Sequence, residues 1–201
     1  RHLAEMAAKK NLKYVYVPTE EEVAVRQIVR TREQIKHRLQ KVKVQIKSLL
    51  EANGIAEPEG LEGWSQKGIE RLKVLKLNKT LQWSLEMDLK ELAHQQEQMK
   101  EADRRVDELA TEGPHAQQVK RGDSVPGVGP LTAISFAVEL PNMERFQDPC
   151  QVSRYVGLAP GVHESGERSR DCRMMKDGNP RLRTLLIEAA WQWVRNDAHA
   201  K

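Results

Sequence analysis

Apolar residues recur three and four positions apart through Val25, Ile28, Ile35, Leu39, Val42, Ile46 and Leu49, with Arg32 filling the one gap. That spacing keeps one helix face apolar and marks a heptad seam. Thr19 is placed to cap the helix, and Glu20, Glu21 and Glu22 sit where the helix dipole favours negative charge. Asn53 and Gly54 form a stop signal. A second seam, Leu85, Leu89, Leu92, Met99, Val106 and Leu109, predicts a helix over about 80–110. Gln96 and Asp103 interrupt it. Between the two, residues 55–63 carry Pro58, Gly60 and Gly63 and read as a loop, and Trp64, Ile69, Leu72 and Leu75 as a short helix over the tip. Long helices joined by a compact tip return antiparallel, as a helical hairpin. Each is about 45 Å long at about 1.5 Å per residue. Such an arm has little core of its own, which predicts a second copy packing on its seams.

The flanking segments follow the same logic. Residues 1–12 read as the end of a helix with Leu3, Met6 and Ala7 on one side. Residues 14–18 read as extended, because Pro18 pushes its predecessor out of the helical region. This is a connector whose partner is expected upstream of Arg1, where the natural N-terminus is also expected. Beyond the arm, Gly113-Pro114 is a break. Val125-Pro126-Gly127-Val128-Gly129-Pro130-Leu131-Thr132-Ala133 then reads as a tight glycine turn opening into a helix that reaches Leu140. Residues 142–146 form a turn with Phe146 as an anchor. Residues 149–156 form a short helix burying Val152, Tyr155 and Val156. Residues 161–168 are polar, without helix or strand period. Asn179 caps a last helix with Pro180 at its first position, and Leu182, Leu185, Leu186, Ala189, Ala190, Trp193 and Val194 stripe one face. The predicted fold class is all-α, divided into a connector (1–18), a coiled-coil arm (19–112) and a C-terminal module with a helix-hairpin-helix motif (113–201).

Composition changes the picture modestly. The 201 residues are 31% charged and only 4% aromatic, which favours long solvated helices over one thick core. The net charge of +4 and pI of about 9.1 suit a nucleic-acid partner. Cys150 and Cys172 lack metal-type spacing and read as reduced thiols of a cytoplasmic protein. No apolar run is long enough to span a membrane, and no signal peptide is visible.

Charge is concentrated in two places. Residues 26–47 hold eight Lys or Arg against Glu33 alone, a net +7 that serves either as a solvated coiled-coil flank or as a surface for a phosphate backbone. Residues 168–183 hold Arg168, Arg170, Arg173, Lys176, Arg181 and Arg183 against Asp171 and Asp177, a net +4 beside the polar loop. The glycine turn is a third candidate. Gly127 and Gly129 lack a Cβ, and the free N–H groups of the helix start, with Thr132 in its first turn, make an anion site. The alternative is a turn that only packs one helix on another. Within the loop, Ser165 precedes Gly166, which leaves room for a bulky substrate. A hydroxyl needs a base, or cations around its leaving group, to act as a nucleophile. His163 and Glu164 are candidate proton acceptors, and Arg168, Arg170 and Arg173 candidate phosphate holders. An ordinary turn serine fits the composition as well.

The order of motifs adds a resemblance. The glycine turn is followed by Glu139-Leu140, Arg145-Phe146, Gln151, Tyr155-Val156-Gly157-Leu158-Ala159-Pro160, Glu164-Ser165-Gly166 and the run from Lys176 to Arg183. Together with Tyr16-Val17-Pro18-Thr19-Glu20 ahead of the basic helix, this order resembles the insertion-sequence one-ten family of transposases. That family includes Piv-type DNA invertases and bridge-RNA-guided recombinases. The resemblance implies a serine that bonds covalently to DNA, here Ser165, and a coiled coil that assembles copies. It also implies a RuvC-like domain upstream of Arg1 whose four acids bind Mg2+. Glu164 stands where many members have another serine. The implied partners are DNA, a guide RNA in some members, and further copies of the chain. The chain alone is then expected to bind nucleic acid weakly and cut nothing. The competing reading is a non-catalytic helix-hairpin-helix module that binds DNA and dimerises, and a third is a coiled-coil scaffold.

Overall fold

The computed structural model describes residues 2–8, 16–165, 168–174 and 177–197; for residues 2–3, 162–165 and 168–173 it describes the backbone alone. The fold is all-α in class, with one two-stranded hairpin as the exception among the described residues. A short α1 (His2–Ala8) precedes the long α2 (Glu20–Ala52). Thr19 caps α2 in a full capping box: its Oγ1 accepts from the Glu22 N–H at 3.2 Å, and the Glu22 carboxylate accepts from the Thr19 N–H at 2.8 Å. The helix stops at Asn53, followed by Gly54 at φ +65°.

The arm is the predicted antiparallel hairpin. After α3 (Gln66–Lys73) the chain enters α4 (Lys79–Glu112), whose first turn is capped by the Asn78 side chain accepting from the Leu81 N–H at 2.9 Å. At the tip, Val42, Ile46 and Leu50 of α2 pack with Leu85 and Leu92 of α4 under a lid of Leu61, Ile69 and Leu72. Each fully buried leucine there contributes about 1.5–3 kcal/mol. The seam rotates slightly from the heptad expectation: Val29 and Leu50 are buried, whereas Ile28 and Leu49 are half-buried. A straight helix with about 3.6 residues per turn drifts off a strict seven-residue repeat, which moves the buried line by one residue at each end. The two seams pack on each other at the tip and at the base, while Ile28 and Ile35 of α2 line an open groove beside α4.

The base of the arm is built into the C-terminal module. Val25 and Val29 of α2 and Val106 and Ala110 of α4 share one core with Val119 of α5 (Ala116–Asp123) and with Ala133, Ile134 and Val138 of α6 (Pro130–Glu139). A last cluster joins Leu140, Val156 and Leu182, tying α7 (Pro149–Val156) to α8 (Pro180–Asn196), with Phe146 packed against it as expected. Two assignments need correction. Tyr155 is 42% exposed rather than buried, and the α8 stripe buries Leu182 and Ala189 but leaves Trp193 42% exposed. No opposing helix covers the far end of α8 among the described residues, so its apolar period continues past its packing. The end of the connector is anchored on this chain through Tyr16, whose hydroxyl bonds the Glu22 carboxylate and whose ring lies 5.5 Å from the Arg145 guanidinium, while Val17 is exposed. No helix among the described residues is long and apolar enough to cross a membrane.

Candidate nucleic-acid interface

The glycine turn joins α5 to α6 and divides its two glycines between different tasks. Gly127 sits at φ +81°, a conformation glycine adopts without strain, and a Cβ there would collide with the Ala189 carbonyl oxygen and the Trp193 backbone of α8. Its bareness serves helix packing. Gly129 has open space where a Cβ would go, and it starts α6 with no side-chain cap. With Pro130 at the first helical position, the leading amides of α6, up to half-buried Thr132, are left for an outside acceptor. Of the residues expected at the first-turn anion site, Gly129 and Thr132 lie at this uncapped helix start and Gly127 lies in the turn against α8.

The polar loop is a β-hairpin, which the sequence did not suggest. β1 (Pro160–Ser165) pairs antiparallel with β2 (Arg168–Met174), with His163 opposite Arg170, Glu164 opposite Ser169 and Ser165 opposite Arg168. The register shifts between Pro160 and Val162. Ser165 ends β1, at the far end of the hairpin from its root. That root is a tight crossing. Gly157 closes α7 in the left-handed conformation (φ +79°), and Gly178 lies so close to the Gly157 backbone that a Cβ would not fit. The side chains of Ser165, Arg168, Arg170 and Arg173 lie outside the described residues, as does Lys176.

Around the root, charged groups from α2 and the module interlock. Glu139, at the end of α6, is 6% exposed and is gripped by Arg30 through two bonds, Nε to Oε1 at 2.8 Å and Nη2 to Oε2 at 2.9 Å. That bidentate bond raises the Arg30 pKa above its ordinary value. Arg26 Nε donates to the Val138 carbonyl at 3.0 Å and lies 3.7 Å from Glu139. Arg181 is ion-paired through Nε to Glu33 of α2. Arg183, half-buried, leaves Nη1 buried without a partner. Arg145 stacks 4.6 Å from the rings of both Phe146 and Tyr155. Sequence reasoning counted Arg26 and Arg30 only within a charged face, took Glu139 only as part of the motif order, and passed over Arg154. The one readable signal was an acid closing an otherwise apolar helix.

The sequence that builds this arrangement is similar to sequences of insertion-sequence transposases. Residues 120–201 match the model described as Transposase IS116/IS110/IS902 family. The likeness extends over the arm. A protein of Sinorhizobium fredii named as transposase y4qE is 29% identical over 191 residues, 95% of this chain and 46% of the relative. The transposase for insertion sequence element IS1111A of Coxiella burnetii is 26% identical over 196 residues, 96% of this chain and 53% of the relative. The chain thus spans about half the length of these relatives.

Proposed function

We propose that this chain is the arm and serine hairpin of an insertion-sequence transposase that breaks and rejoins DNA through Ser165. The observation that carries the proposal is the family match over 120–201, which includes the strand ended by Ser165 opposite Arg168. In the reaction, the Ser165 Oγ attacks a backbone phosphorus. The Oγ–P bond forms as the bond from phosphorus to one sugar oxygen breaks. The hydroxyl proton passes to a base, and the departing sugar oxygen takes up a proton. The phosphodiester energy is kept in the phosphoserine link, so a sugar hydroxyl of another end can reverse the step without ATP.

Arg168, Arg170, Arg173 and Lys176, on and beside the hairpin, supply positive charge around the transferred phosphate, and Arg181 and Arg183 at its root contact the neighbouring backbone. Gly129 and Thr132, at the open start of α6, hold a neighbouring phosphate in a helix-hairpin-helix manner. Four acids of a RuvC-like domain elsewhere in the whole protein would hold Mg2+. Among the described residues no group of three or more His, Cys, Asp or Glu side chains converges, and no step here is routed through a metal. A guide RNA and further copies of the chain are the other proposed partners.

The test is a denaturing gel of the whole transposase carrying this chain, incubated with its DNA ends and Mg2+. A protein–DNA adduct is expected for the parent and none for Ser165→Ala. An adduct retained by that variant removes Ser165 from the role.

A further inference from the structure

An open pocket of about 550 Å³ lies where α2, α7 and the start of α8 meet, at the root of the serine hairpin. Its walls carry Arg26, Arg30, Arg154 and Arg181, with Tyr155 and Asp177 among the other lining residues. Four guanidinium groups against Glu139, Asp177 and the Glu33 that pairs with Arg181 leave a local charge of +1. From this pocket we infer a second nucleic-acid contact: it takes a backbone phosphodiester, separate from the one Ser165 attacks. The inference rests on the nucleic-acid reading above and adds residues of the arm to it.

Three features argue for a phosphate. First, the arginines are held by their inner edges. Arg26 is fixed through Nε to the Val138 carbonyl, Arg30 through Nε and Nη2 to Glu139, and Arg181 through Nε to Glu33. Each keeps terminal nitrogens without a bond among the described residues. A guanidinium held this way loses little freedom when it binds a phosphate oxygen, and its planar fork matches that oxygen pair. Second, Arg154 is exposed and has no ion pair among the described residues. It stands over the pocket as an uncommitted charge. Third, the amides at the start of α8 are already satisfied, since the Asn179 side chain accepts from the Arg181 and Leu182 N–H groups at 3.1 and 3.3 Å. The ligand is therefore recognised by arginine side chains rather than by a helix end.

Position gives the pocket its purpose. β1 leaves the root just after Gly157 and ends at Ser165, six residues that span about 17 Å at about 3.4 Å per step. The pocket thus lies about one strand's length from the end of β1. Because Arg26 and Arg30 belong to α2, the same contact couples the duplex to the direction of the arm.

The experiment measures binding of the 201-residue chain to a labelled 30-base-pair DNA duplex and to a single-stranded RNA of equal length, by fluorescence anisotropy over a salt series. Arg154→Ala is expected to weaken binding about tenfold at low salt and to lower the salt slope by about one, as losing one phosphate contact should. Lys67→Ala, the same charge change at the arm tip, is expected to change affinity less than twofold. Loss on the duplex, the RNA or both identifies whose phosphodiester the pocket holds. Parent-like binding by Arg154→Ala, or an equal loss from Lys67→Ala, overturns the pocket and leaves the nucleic-acid reading standing. A parent chain that binds neither probe overturns both.

Discussion

Arg32 of α2 and Asp103 of α4 meet across the arm, Nε to Oδ1 at 2.8 Å. Each is the charged break in its own apolar seam, and the two breaks coincide. The Arg32 side chain is 16% exposed and Asp103 47%, so the pair sits half out of water. A pair in that position adds little net stability but penalises any sliding of the helices, which would bury one charge against an apolar layer. Asp103→Ala should cost about 1 kcal/mol by urea denaturation. Arg32→Met with Asp103→Leu should restore the parent midpoint. A double variant no more stable than Asp103→Ala alone would show that the pair does not act as a register mark.

Gly127 and Gly129 lie two residues apart and should respond differently to the same change. Gly127→Ala forces a side chain into a left-handed backbone and against α8, and should destabilise the chain by more than about 2 kcal/mol. Gly129→Ala enters open space at an ordinary φ of −94° and should leave the melting temperature within a degree or two. Its effect should fall on nucleic-acid affinity instead. A stable Gly127→Ala with impaired binding would reverse these roles.

Much of this architecture is legible in the sequence because helical periodicity survives averaging over long segments. The arm, its tip and the caps at Thr19, Asn179 and Pro180 all follow from local rules. The meeting of Arg32 with Asp103 does not, since each seam shows only its own gap. Residues 160–174 escaped because a two-stranded ribbon of polar residues has no alternation to detect. The contact of Tyr16 with Arg145 is not legible because the two lie more than 120 positions apart. The pairing of Glu139 with Arg30 and the placing of Arg154 are not legible for the same reason: their environment is made by elements distant in the chain. The candidate site was legible as a set of residue types, not as a pocket.

Glu139 is the buried acid on which the arm and the module are joined. Glu139→Ala leaves Arg30 and Arg26 without their shared counter-charge in a half-buried setting, and should cost about 3 kcal/mol. Hydrogen exchange should quicken at the base of α2 and along α6, while the tip around Leu50, Leu61 and Leu72 keeps its protection. Uniform loss of protection along the whole arm would mean that the two ends of α2 unfold as one unit and that Glu139 has no local role.

The clasp between the connector and α2 should open at both ends of the pH scale. The Tyr16 hydroxyl and the Thr19 N–H hold the Glu22 carboxylate below its ordinary pKa. Its contribution is therefore present above the unfolded value of about 4.3 and is lost as pH falls through the lower folded one. Tyr16 is shifted the other way. Its hydroxyl donates to Glu22, which raises its pKa above the ordinary value of 10.0, so its contribution is present below that value and lost as pH rises through the folded one. Glu22→Gln should flatten the acid limb of a melting-temperature profile, and Tyr16→Phe the alkaline limb. Tyr16→Phe should also return the Glu22 pKa toward its ordinary value, read by NMR titration of the carboxylate. A Glu22 titration unchanged in Tyr16→Phe would assign the shift to the capping box alone and detach the connector from the start of α2.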